Sequence, residues 1–202
     1  MPFFEFLNAH ILDVFWWISI GIFGVATAIG FFRRDLMPRL ASRLFLYSTG
    51  ATFAYLIYIG YLQFEAFLSG PLGFFKPEGF LGFVTYTLSY LLLHYWNEYF
   101  YSFIAAILFA LVAGFFNKKY HERFFEKEEL YLIALGILLT GYPGFIFYIP
   151  LVLLASIIAS ALFVPRGERL PLYHLWMPVA LATVLVIHFW AQNQVWWNSF
   201  KF

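Results

Sequence analysis

Long apolar runs separated by short polar stretches dominate the chain. Five runs are each about 20 residues long, enough for a helix with a ~1.5 Å rise per residue to cross a ~30 Å hydrocarbon core. These runs lie near residues 12–32, 42–64, 98–116, 144–164 and 173–192. A sixth, shorter run at about 130–141 ends in the turn-forming sequence GYPG at 141–144. The pattern predicts an all-α bundle of about six transmembrane helices, a single domain over residues 1–202.

Composition supports lipid as the environment of these helices. Of the 202 residues, 63% are hydrophobic and 11% are charged, whereas a soluble domain carries about 25% charged residues. We therefore expect a multi-pass protein of the cell membrane, with the cytoplasmic or inner membrane of a prokaryote favoured. Its expected partners are the lipid bilayer and other membrane subunits. A net charge of +1 offers no basic surface for phosphates, so no nucleic-acid partner is expected.

The charges predict how the bundle is oriented. Residues 80–97 are apolar enough to span, but they end in the polar sequence HYWNE at 94–98. If 80–97 is an interfacial or re-entrant segment, or extends the third helix, ten Lys and Arg residues share one side and two lie opposite. The ten are Arg33, Arg34, Arg39, Arg43, Lys118, Lys119, Arg123, Lys127, Arg166 and Arg169. Because Lys and Arg accumulate in cytoplasmic loops, both termini are predicted outside.

Tryptophans give an independent indication of the outer side. Trp and Tyr favour the membrane–water interface. Trp16 and Trp17 lie near the start of the first predicted helix, and Trp190, Trp196 and Trp197 lie near the end of the last. In the six-helix topology, both groups fall at the outer end of the bundle.

Two histidines are candidate cofactor ligands. His188 lies in the apolar run TVLVIHFW, and an ionisable group at membrane depth suggests function. His94 belongs to the same outer half, so the pair could hold a haem between helices. The alternative is that each histidine is simply hydrogen-bonded within the bundle or near the interface. No cysteine is present, which excludes thiolate metal sites, and no metal site is predicted.

Carboxylates at the cytoplasmic face are candidate catalytic groups. Asp35 follows the first helix, while Glu126, Glu128 and Glu129 precede the fourth. Two carboxylates brought together across helix ends could share a proton and activate water, as in aspartic proteases. The alternative is that they are charged helix ends, because acidic residues stabilise a helix N-terminus electrostatically.

The order of features from Glu128 onward resembles the type IV prepilin and preflagellin peptidases, which are membrane aspartic proteases with a GxGD motif. The resemblance rests on EELYLIALGILLTGYPGF, with Ala-Leu-Gly at 134–136, and on Leu-Pro at 170–171. Upstream, LMPRLASRLFLY at 36–47 is similar to the segment that follows the family's first helix. The resemblance implies six spans, termini outside and a catalytic site in the cytoplasm.

The chain departs from that family at the catalytic motif. Counting back from Gly136, Glu128 falls at the GxGD aspartate, and Phe125 and Lys127 fall at its glycines. Asp35 is displaced by about a helical turn from the family's first aspartate, whose position falls near Phe31.

The favoured hypothesis is a non-catalytic structural or interaction subunit of a membrane complex. One alternative is a membrane subunit of a respiratory or photosynthetic redox complex that contacts quinone, haem or pigment through His94 and His188. The second alternative is an active membrane aspartic peptidase that uses Asp35 and Glu128.

Overall fold

The protein is represented by a computed structural model that describes residues 11–69, 79–121, 125–163 and 173–200. All regular secondary structure in these ranges is helical. The α-helices are α1 (Ile11–Phe32), α2 (Met37–Ser69), α3 (Gly79–Leu91), α4 (Asn97–Lys119), α5 (Lys127–Thr140), α6 (Gly144–Phe163) and α7 (Tyr173–Phe189). A π-helical turn, Leu92–Trp96, joins α3 to α4, and short 3₁₀ helices cover Arg34–Leu36, Ala191–Asn193 and Val195–Phe200.

The number of long helical segments agrees with the predicted six. Helix α3, the π turn and α4 form one continuous run, so residues 80–97 extend the third helix. Within the described residues, four helices are by length and composition able to cross a membrane: Asp13–Phe32, Val84–Lys119, Gly144–Leu162 and His174–Asn193. Helix α2 is also long, but its Tyr, Ser and Thr residues lower its hydropathy. Helix α5 has 14 residues, or about 21 Å of helix.

Helix α5 is the centre of the bundle. It packs against α2, α4, α6 and α7, and every residue from 132 to 141 is buried. A helix that is apolar on all sides must be surrounded by other apolar groups, and here these groups belong to the same chain. Helix α5 ends at Gly141, whose φ of 69° lies in the left-handed region that glycine tolerates best. The following Tyr142–Pro143 peptide is cis.

Helices α4 and α6 present large apolar side chains to the outside of the bundle. Leu111 and Phe115 on α4 are each 65% exposed, and Ile157 on α6 is 66% exposed. Only 11% of the most apolar stretch of α6 is buried within the chain. Each of these two helices therefore packs against α5 with one face and leaves its own opposite, apolar face uncovered.

Tryptophans from the start of α1 and from the residues after α7 meet at one end of the bundle, as predicted. Helix α1 packs against α7. Trp16, near the start of α1, contacts a small apolar cluster formed by Ile187, Ala191 and Trp197 at the end of α7 and beyond it. Trp196 and Trp197 also pack against Phe147 of α6.

Candidate functional site

The first predicted catalytic residue, Asp35, lies at the surface. It belongs to the short 3₁₀ helix between α1 and α2, and its side chain is 68% exposed. Its Oδ1 atom lies 3.6 Å from Nε of Arg33, which is similarly exposed. No hydrogen bond or ion pair within the described residues joins Asp35 to Glu128. The neighbour of this carboxylate is thus a cation rather than a second acid.

At the start of α5, the buried carboxylate is that of Glu129 rather than Glu128. Glu128 is half-buried, whereas Glu129 is 2% exposed. The Oε2 atom of Glu129 accepts the backbone N–H of Glu126 at 3.0 Å, and the Glu126 side chain accepts the backbone N–H of Glu129. This reciprocal pair is a capping box, which satisfies N–H groups that have no partner inside the helix. The E-x-x-E spacing at 126–129 is the sequence feature that indicates it.

Asn117 fixes the chain at the approach to α5. Its side chain is buried at the end of α4, and its Nδ2 donates to the carbonyl oxygen of Phe125 at 2.7 Å. The backbone N–H of Phe125 in turn donates to Oδ1 of Asn117 at 3.0 Å. Both backbone polar groups of Phe125 are therefore satisfied by one amide, and the Phe125 ring packs 6.3 Å from the Trp176 ring. Sequence analysis did not single out Asn117.

The Ala-Leu-Gly sequence in α5 has a packing role. A Cβ atom added at Gly136 would overlap the hydroxyl group of Tyr148 and lie 2.7 Å from its Cε1. The Tyr148 ring of α6 is fully buried, and its hydroxyl donates to the backbone oxygen of Trp176 in α7 at 3.2 Å. Gly136 thus lets α6 and α7 close over the central helix.

The two candidate cofactor ligands, His94 and His188, lie in separate surroundings. His94 is exposed in the π turn, where its Nδ1 lies 3.0 Å from the carbonyl oxygen of Tyr90 and its ring stacks on that of Tyr90. His188 is half-buried in α7, with its ring 5.9 Å from that of Trp16 and 5.6 Å from that of Trp17. Its Nδ1 is buried and has no hydrogen-bond partner among the residues that the structure describes. No contact in the described residues joins the two rings.

A groove follows one face of α4 toward the basic end of the bundle, where the exposed Lys118, Lys119 and Lys127 lie. We call it the α4 groove. It has a volume of about 350 Å³ and is lined by Phe109, Val112, Ala113, Phe116, Tyr120 and Phe125. Four of these residues belong to α4 and Tyr120 directly follows it. Phe109, Val112 and Ala113, Phe116 and Tyr120 recur every three or four residues, which places them on one face of the helix. The sixth, Phe125, is the residue held by Asn117. The Nζ atom of Lys119 lies 5.8 Å above the Tyr120 ring, within the range of a cation–π contact.

Asn117 and the Glu126–Glu129 capping box fix the end of α4 relative to the start of α5. Among the described residues, no three His, Asp or Glu side chains lie close enough together to hold a metal ion. No protein-family model matches the chain, and no curated protein or solved structure matches it either.

Proposed function

We propose that this chain is a polytopic membrane protein with a prepilin-peptidase-like arrangement of helices that lacks peptidase activity. In this proposal it serves as a structural or interaction subunit of a membrane complex, in the cytoplasmic membrane of a prokaryote and with both termini outside. The observation that carries the proposal is the state of the carboxylates. The buried Glu129 is committed to a helix cap, and Asp35 is exposed beside Arg33.

The exposed apolar faces of α4 and α6 support a membrane location. Contiguous apolar patches larger than a few hundred Å² are rare on soluble monomers. Leu111, Phe115 and Ile157 are each at least 65% exposed on helices of membrane-spanning length. Lipid would cover these side chains at no hydrophobic cost, and the basic residues at the opposite ends from the tryptophans are consistent with the predicted orientation.

The order of the helices supports the proposed kinship with prepilin peptidases. The resemblance implies four features in order: the segment that carries the GxGD motif, an apolar helix with Ala-Leu-Gly, a short turn and a helix rich in small residues. Helix α5, the turn at Gly141 and helix α6 follow in that order. The close packing at Gly136 gives a physical reason for glycine at the end of Ala-Leu-Gly.

No pair of acidic side chains is found among the described residues, which supports a non-catalytic role. Two carboxylates must lie within a few ångströms of each other to share a proton. Asp35 instead pairs with Arg33, and the residues at the GxGD glycine positions are Phe125 and Lys127. Phe125 is fixed by two hydrogen bonds, so its backbone has none of the freedom that glycines would provide.

An ion or proton carrier is less well supported than an interaction subunit. Carriers place ionisable groups within the membrane, facing the bundle interior or a water-filled cavity. Among the described residues, Glu129 is the one buried acidic or basic side chain, and its carboxylate serves the capping box. What the bundle offers is a rigid centre and extensive apolar outer faces, which suit assembly with other membrane subunits.

A leader-cleavage assay tests the proposal. Membranes containing this chain as the sole candidate peptidase are incubated with a prepilin-type substrate, beside membranes containing an authentic GxGD peptidase. We expect cleavage by the authentic enzyme alone. Cleavage by this chain that disappears in Glu128→Gln or Asp35→Asn, while Glu126→Gln retains it, would instead establish an active peptidase.

A further inference from the structure

We propose that the α4 groove, together with Lys119, forms a binding site for an anionic phospholipid. One acyl chain would lie in the groove, and the phosphate of the headgroup would contact Lys119. This inference rests on the membrane location proposed above and goes beyond it, because it assigns a specific lipid to a specific part of the surface.

The dimensions of the groove match one leaflet of a bilayer. Its lining residues run from Phe109 to Tyr120 along α4, which corresponds to roughly 16 Å at ~1.5 Å per residue. Half of a ~30 Å hydrocarbon core is about 15 Å. The volume of about 350 Å³ falls at the lower end of the ~300–1,000 Å³ typical of small-molecule sites. A groove of this length along a spanning helix runs parallel to the lipid chains beside it.

The chemistry changes abruptly at the end of the groove. Its walls are aromatic and aliphatic side chains, with no acidic or basic group among them. Lys119 lies beside the end of the groove, is exposed, and is in no ion pair within the described part of the chain. Its Nζ atom lies above the ring of Tyr120, which itself lines the groove. An apolar channel with a cation at its end is complementary to a lipid with an apolar chain and an anionic headgroup.

The wall opposite α4 is held in place. Phe125 closes the groove, and its backbone is fixed by both atoms of the Asn117 amide. Asn117 is itself buried, 5% exposed, immediately before the two lysines. A site formed before the ligand arrives binds more tightly, because less conformational entropy is lost on binding. The cytoplasmic leaflet, where the charge pattern places this end of the bundle, is also the anionic one.

Two pairs of variants test the two halves of the site. For the headgroup, Lys119→Gln is compared with Lys118→Gln, which removes an exposed cation from the opposite face of α4. For the chain, Val112→Trp is compared with Leu111→Trp. Both α4 residues are exposed, at 54% and 65%, but Val112 alone lines the groove.

The measurement is a titration of detergent-solubilised full-length protein with phosphatidylglycerol or phosphatidylcholine, with bound lipid counted by native mass spectrometry. We expect selective binding of phosphatidylglycerol. A surface lysine contributes about 1 kcal/mol to binding an anionic lipid, so losing Lys119 should weaken binding roughly fivefold. Val112→Trp should weaken it at least tenfold, while Lys118→Gln and Leu111→Trp should stay within about twofold of wild type.

Several results would overturn the site. Equal losses in Lys119→Gln and Lys118→Gln would mean that the basic end of the bundle attracts anionic lipid without a site. Unchanged binding in Val112→Trp would remove the groove from it. Co-purification of a protein that Val112→Trp abolishes, with the lipid count unchanged, would assign the groove to a protein partner. Recovery of the chain in the soluble fraction would refute the membrane location itself, whereas a membrane-embedded chain without lipid selectivity would refute the lipid site alone.

Discussion

Gly136 lets the Tyr148 ring pack directly against the backbone of the central helix. A Cβ at this position would overlap the Tyr148 hydroxyl. Tyr148 cannot easily move away, because it is fully buried and its hydroxyl donates to the Trp176 carbonyl oxygen. We expect Gly136→Ala to lower the free energy of unfolding by about 1–3 kcal/mol, the usual cost of overpacking. Unfolding in mixed micelles with increasing sodium dodecyl sulfate measures this change.

Gly50→Ala is the matched control for Gly136→Ala. Gly50 also lies within a helix, α2, but nothing lies within 4 Å of the Cβ it would gain. The substitution should therefore be neutral or stabilise the protein by up to about 1 kcal/mol, because alanine loses less backbone entropy than glycine in a helix. Equal effects of the two substitutions would show that the Tyr148 contact does not determine the packing.

The N-terminus of α5 depends on the capping box of Glu126 and Glu129. Glu129→Gln keeps a side-chain oxygen that can accept the Glu126 N–H, whereas Glu129→Ala removes it. We expect Glu129→Ala to destabilise the protein by about 0.5–2 kcal/mol, typical of a lost cap, and Glu129→Gln to cost clearly less. The same micelle unfolding experiment measures both variants. A larger loss in Glu129→Gln than in Glu129→Ala would mean that the negative charge, rather than the cap, is what the site requires.

The limits of several helices could be predicted from hydropathy because each is a long apolar run bounded by polar residues. Helices α1, α6 and α7 begin and end within a few residues of the predicted runs. The central position of α5 could not be predicted, since a helix that is apolar on all sides has the same pattern whether lipid or protein surrounds it. The extension of the third helix through 80–97 depends on local partners for polar groups. Nε1 of Trp96 donates to the Leu56 carbonyl oxygen at 3.2 Å, which is a tertiary contact.

The location of the candidate site could be predicted from the sequence, but the contacts of its residues could not. Charge at 117–129 indicated that the segment between α4 and α5 matters, because so many ionisable residues follow an apolar helix. Whether Glu128 or Glu129 is buried depends on how the first turn of α5 is oriented. The Asn117–Phe125 hydrogen bonds fix the chain immediately before that turn. A side-chain amide bonded to a backbone eight residues away leaves no periodic pattern in the sequence. Whether Asp35 and Glu128 have a catalytic role stays a prediction.

The third helical segment is longer than one membrane crossing requires, so its length bears on how often the chain crosses. The span Val84–Lys119 has 36 residues, or about 54 Å of helix, which exceeds a ~30 Å hydrocarbon core. If this helix crosses a membrane, it must tilt or project beyond the hydrocarbon core. The π turn continues the helix at Leu92–Trp96 rather than reversing it. In the proposed topology, this single crossing places the basic N-terminal ends of α2 and α5 on the same side.

Single cysteines test this topology cleanly, because the chain contains no cysteine of its own. Arg39→Cys and Lys127→Cys are both exposed and lie at the two basic helix starts, while Asn193→Cys is exposed beyond the end of α7. In intact cells, a membrane-impermeant maleimide should label Asn193→Cys, and it should reach the other two only after permeabilisation. Labelling of Arg39→Cys and Lys127→Cys from opposite sides would require residues 79–119 to cross twice or not at all. In that case, Lys118 and Lys119 would lie on the opposite side of the membrane from Arg39 and Arg43. The proposed orientation would then lose its basis, because it depends on these residues sharing one side.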